Sequence, residues 1–113
     1  MYGSLLSGAA HSYLVEGIGV DFALPALEAT RDLEVATVTD AESFEWARRL
    51  ACEEGILAGG SSGAAVAAAV RVARGLPAEA NVVALLADTG RNYLSKQFDD
   101  DWLDAHLAEA IAR

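Results

Sequence analysis

Seven consecutive residues, Ala64 to Val70, are all alanine or valine, and no other stretch constrains the fold of this chain as tightly. They follow the turn Gly59-Gly60-Ser61-Ser62-Gly63 and run into Arg71. A helix that is apolar all the way round is one that is covered on every side. The run is far shorter than the roughly 20 apolar residues that cross a bilayer. The cover must therefore be protein. The flanking elements of so short a chain have trouble supplying it, so a second chain, or a segment outside this one, is expected to complete the layer. Self-association is the corresponding expectation in solution.

The elements around this run read as alternating strands and helices. Leu33 to Val38 alternates and is rich in β-branched residues, which predicts a strand. Thr39-Asp40-Ala41-Glu42 has the spacing of a capping box. The helix it opens is expected to run to about Glu54, with Phe44, Ala47 and Ala51 on one face and Trp46 and Leu50 widening it. Gly55 is its stop. A short strand at Gly55 to Gly59 leads to a helix from about Ser62 to Arg74, which Gly75 and Pro77 end. Asn81 to Asp88 is almost wholly apolar, as a strand buried on both faces of a parallel sheet would be. A short helix near Thr89 to Lys96 and an acid-led closing helix complete the order β-α-β-α-β-α. That order predicts an α/β fold with a parallel sheet.

Length and charge limit the function classes. With 113 residues the chain makes one domain, and its 53% apolar content argues against disorder. A formal net charge of -9 disfavours nucleic acid and anionic membranes as partners. Cys52 is the only cysteine, which fits a reduced, cytoplasmic setting, and Met1 to Ala10 has no basic segment of a secretory signal.

The glycine-serine turn has two readings. In the first, Ser61 or Ser62 caps the helix and the glycines simply pack. In the second, unpaired N–H groups, a positive helix end and glycines that admit close approach form a site for an anion or a polar ring. The turn matches neither a Walker A loop nor the dinucleotide glycine spacing. A second glycine pair, Gly17 and Gly19 around Ile18, marks another place of tight backbone or close approach.

Three quoted stretches, "VEGIGVDF", "ARRLACEEGILAGGSSGAAVAAAVRVA" and "VVALLADTGRNYLSKQFDDDWL", carry a family resemblance in the order they occur. Together they resemble the C-terminal half of the catalytic domain of cystathionine β-synthase and, closely related, cysteine synthase (O-acetylserine sulfhydrylase). Both are pyridoxal 5'-phosphate enzymes of the tryptophan synthase β-like type. "EGIG" and "RNYLSK" are more similar to the first than to the second. The resemblance implies a type II pyridoxal-phosphate fold and β-replacement of serine or an activated serine by a thiol. It implies that Ser61 bonds the pyridine nitrogen of the cofactor, that Gly17 lies beside cofactor and substrate, and that Gly19 shapes the same loop. Asp88 matches a polar position near the ring edge, with a turn cap as its alternative. Ala87 stands where the family usually has proline.

The family's Schiff-base lysine, its asparagine contact and its Gly/Thr-rich phosphate loop match nothing in this chain. The resemblance thus implies a C-terminal part of a catalytic domain over residues 1–113, truncated or one half of a split enzyme. It would bind the cofactor only together with the N-terminal part and would be inactive alone. A protein-interaction module derived from the same fold is the alternative from another class. Lys96, the single lysine, falls beyond the last strand and is expected at the solvated surface. His11 and His106 have no metal-ligand spacing, and no metal is expected. Asp99 to Asp101 suit a helix N-terminus. Cys52, Trp46 and Trp102 are expected to pack.

Overall fold

The computed structural model describes residues 12–18, 25, 30 and 33–111. The first long helix, α1, spans Asp40–Glu54. It starts where the sequence places it because both halves of the capping box form. Glu42 N–H donates to the Thr39 hydroxyl (3.2 Å), and Thr39 N–H donates to the Glu42 carboxylate (3.0 Å). It stops at Gly55, whose φ of 69° is the left-handed conformation that a side chain disfavours. Ser43, Phe44 and Ala47 are its buried residues, while Ala51, Trp46 and Leu50 are half-buried.

The alanine-valine run lies in α2, Gly60–Ala73. Helix α2 crosses α1 in direct backbone contact at Gly63. A Cβ there would sit 1.9 Å from the Ser43 carbonyl oxygen and 2.8 Å from the Ala47 nitrogen. The third glycine of the turn is therefore a helix-packing residue. A second tie comes from Arg71, which donates to the Thr37 carbonyl (2.9 Å) and pairs with Glu42 (2.9 Å). The pair, with the hydrogen bonds from Thr39 as the leading cause, holds the Glu42 carboxyl below its ordinary value.

Cover on α2 is one-sided. Ala64 and Ala67 are buried, with Val38, Ile18, Trp46 and Ala68 packed around them. Ala65, Val66, Ala69 and Val70 are only half-buried. Complete cover is thus not provided by the described residues.

The strands differ from expectation. Leu33–Val38, Gly55–Gly59 and Asn81–Asp88 form no strand among the described residues, and the pairing there is an isolated antiparallel bridge between Ala58 and Thr89. The physical reason is visible in the exposure of the apolar side chains. Val83 and Leu85 are 90% and 82% exposed, the opposite of a strand covered on both faces. A helix closes its hydrogen bonds within itself, but a strand needs a neighbour.

After a 3-10 turn at Gly90–Tyr93 comes α3, Asp100–Ile111. Asp99 accepts from Trp102 N–H (2.8 Å), and Asp100 pairs with Arg48 of α1 (2.5 Å). Trp102 meets Phe44 edge-on at 5.8 Å, which anchors α3 to α1, and stacks on His106 of its own helix at 4.2 Å. Trp46 is half-buried under the Arg49 guanidinium at 4.2 Å. Cys52 is exposed rather than packed, because it shares the outer face of α1 with Glu45, seven residues earlier. Among the described residues no helix is long and apolar enough to cross a membrane.

Candidate functional site

The start of α2 bears on the serine cap that one reading of the glycine-serine turn expects. The N-cap is Gly59, extended at φ -75° and ψ 174°, and no side chain caps it. Ser61 and Ser62 lie inside the first helical turn, so the simple serine cap is not what the structure has. Ser62 is fully buried, and its hydroxyl points at the Asp88 carboxylate at 3.5 Å. Ser61 is 8% exposed. Among the described residues its hydroxyl has no hydrogen-bond partner.

That hydroxyl borders a cavity of about 290 Å³, lined also by Gly17, Ile18, Val38, Ala64, Leu85 and Ala87. The two sequence-expected residues Ser61 and Gly17 thus meet on one cavity, although 44 positions separate them in the chain. Gly17 has φ 84°, and a Cβ on it would lie 3.8 Å from the Ser61 hydroxyl. Gly19 lies outside the described residues. Apart from Ser61 the lining side chains are apolar, and the helix end beneath them is positive. Ser61 offers one hydroxyl, donor or acceptor, to a group placed there.

Asp88 is not among the lining residues; Ala87 is. The Asp88 carboxylate lies over Gly59, where a Cβ would be 2.2 Å from Oδ1, and accepts from the Tyr93 hydroxyl at 2.8 Å. Its negative charge suits the helix N-terminus there. The hydrogen bond to Asp88, with burial and the charges of Asp88 and Glu16 behind it, pushes the Tyr93 phenol up to about 12. Tyr93 went unnoticed in the sequence because its partner is defined only once the turn after Asp88 is folded.

Two more residues emerge from the structure alone. Asp40 accepts from Leu14 N–H (2.9 Å) and Val15 N–H (3.1 Å), and Lys96 forms an ion pair with Glu16. Lys96 is therefore paired rather than merely solvated. No local spacing signals either contact. The described residues contain no His, Cys, Asp and Glu cluster able to hold a metal.

Comparison with known proteins identifies the family. A family model described as pyridoxal-phosphate dependent enzyme matches residues 1–88, and the chain belongs to that family. It is 46% identical to the cystathionine beta-synthase of Dictyostelium discoideum over 98 residues, which are 87% of this chain and 20% of that one. It is 41% identical to a cysteine synthase of Helicobacter pylori over 96 residues, 83% of this chain and 31% of that one. The crystal structure of an O-acetylserine dependent cystathionine beta-synthase from Helicobacter pylori superposes with a TM-score of 0.72 at 38% identity. That match covers 82% of this chain and 30% of the other. The fold is thus that of part of a type II pyridoxal-phosphate enzyme, and the chain spans a minor share of each relative's length.

Proposed function

We propose that residues 1–113 form the C-terminal part of the catalytic domain of a pyridoxal-phosphate β-replacement enzyme of the cystathionine β-synthase type. In it, serine or an activated serine exchanges its β-substituent for a thiol. The observation that carries the reading is the unpartnered Ser61 hydroxyl on an otherwise apolar cavity. The residues present fit the pyridine end of the cofactor: one hydroxyl for the ring nitrogen, apolar walls for the ring faces, and a glycine at the substrate side. The lysine and the phosphate loop belong to protein outside these residues, as does the strand that turns Asn81–Asp88 into part of a parallel sheet.

The cofactor, once bound, supplies the electron sink for loss of the β-substituent. Ser61 donates a hydrogen bond to the ring nitrogen. A neutral hydroxyl at a positive helix end favours the unprotonated ring, which tempers the sink and suits elimination and readdition. Gly17 walls the substrate side, and its φ of 84° is a backbone conformation that a side chain disfavours. Ile18 and Val38, the less exposed apolar side chains of the lining, keep water from the ring. Asp88 works from behind, holding Ser62 and the turn at Gly59.

The test is a hybrid enzyme in which this chain replaces its 98-residue match in the Dictyostelium discoideum relative. Ser61→Ala is expected to keep the cofactor and lower turnover about tenfold, the worth of one hydrogen bond near 1.4 kcal/mol. Ser61→Asp is expected to lose more, because a carboxylate favours the protonated ring. Equal turnover of Ser61→Asp and the unsubstituted hybrid sinks the assignment, since aspartate is well tolerated in a first helical turn on structural grounds alone.

A further inference from the structure

We propose that Asp40 and Lys96 are positioning residues that fix the segment 14–18 as a rigid wall opposite Ser61; this rests on reading the Ser61 cavity as the cofactor site. The segment contains no helix or strand. Its order must come from other bonds, because each residue held in one conformation costs about 1–2 kcal/mol of entropy. Asp40 supplies two of them. Its Oδ2 accepts from Leu14 N–H at 2.9 Å and its Oδ1 from Val15 N–H at 3.1 Å. Each carboxylate oxygen holds one amide, and the second amide belongs to a residue only 1% exposed, where an unpaired N–H is costly.

Asp40 is itself placed by secondary structure. It is the first residue of α1, directly after the N-cap Thr39 and within the Thr39–Glu42 capping box that Arg71 braces. Lys96 reaches in from beyond the 3-10 turn and pairs with Glu16. Three successive residues, 14 to 16, are thus tied to two separate elements. The next two, Gly17 and Ile18, are the ones that line the cavity. The anchors therefore set how far the Gly17 backbone stands from the Ser61 hydroxyl. Asparagine at position 40 cannot do the same: it offers one oxygen, and its amide hydrogens would face the second N–H.

Two readouts test this. In the 113-residue chain, Asp40→Asn is expected to speed hydrogen exchange at the Leu14 and Val15 amides at least about tenfold, the scale of a hydrogen bond to a charged group. Asp100→Asn, which removes a carboxylate that pairs with Arg48 instead, is expected to leave both amides unchanged. In the hybrid enzyme, Asp40→Asn is expected to raise KM for L-serine more than it lowers kcat, with the cofactor retained, and Lys96→Gln to do so more weakly. A purely structural role would reduce the amount of folded enzyme and leave KM unmoved. Unchanged exchange in Asp40→Asn overturns the clamp. Faster exchange with an unmoved KM overturns the positioning role. If the clamp results hold while Ser61→Asp is silent, the wall is real and the cofactor reading is what fails.

Discussion

Gly63→Ala puts the helix crossing under direct test. The new methyl carbon would lie 1.9 Å from the Ser43 carbonyl oxygen and 2.8 Å from the Ala47 nitrogen. Both are backbone atoms of α1, so no side chain can swing away, and the helices must separate. Overpacking of this kind typically costs about 1–3 kcal/mol, and a backbone clash belongs at the upper end. Helix propensity works the other way, favouring alanine by about 1 kcal/mol. The balance is a loss of about 2 kcal/mol or more. Separation would also lift Phe44 from Gly60, against which it packs with a ring carbon 3.1 Å from the Cβ position. Gly75→Ala is the control: its Cβ would meet only the Val72 carbonyl, at 3.6 Å. Urea unfolding followed by far-ultraviolet circular dichroism should show a lower midpoint for Gly63→Ala and a midpoint unchanged or raised for Gly75→Ala. Equal midpoints for Gly63→Ala and the parent would refute the direct contact of α1 with α2.

Thr39→Ala should cost about 1 kcal/mol by opening the capping box, read by the same urea titration. The lowered Glu42 carboxyl stabilises the fold above its unfolded value of 4.5, and that contribution disappears as pH falls through the folded value. Glu42→Gln should therefore flatten the acid limb of the stability profile. For Tyr93 the sign is reversed. Its folded value of about 12 lies above the ordinary 10.0, so its contribution is complete below pH 10 and is lost between there and 12. Spectrophotometric titration should find the Tyr93 phenol ionising late, and Asp88→Asn should bring it down toward the ordinary range. Sedimentation of the chain should show concentration-dependent association through the face that carries Val83 and Leu85. A monodisperse monomer would mean that those side chains, 90% and 82% exposed, need no cover.

The helices are legible in the sequence, while the expected strands find no sheet among the described residues, for a physical reason. Thr39, Glu42 and Gly55 define α1 through contacts within a few residues, and a single sequence displays such contacts fully. Asn81–Asp88 has the composition of a central strand, yet composition cannot supply the neighbour that makes it one. The site divides in the same way. Ser61 and Gly17 came from motif resemblance, and the fold brings them to one cavity. Asp88 was expected at that cavity, but the turn at Gly59 draws its carboxylate toward Tyr93 and Ser62 instead. Asp40 gave no sign, because its partners lie 25 and 26 positions away and are backbone amides with no side-chain signature.

The central claim is that the Ser61 hydroxyl is the partner of the cofactor's ring nitrogen. The most direct measurement is the nitrogen-15 chemical shift of ring-labelled pyridoxal phosphate bound to the hybrid enzyme. The shift should be that of an unprotonated pyridine with Ser61 and should move toward the protonated value in Ser61→Asp. A shift identical in the two proteins would place the ring nitrogen away from Ser61 and contradict the assignment.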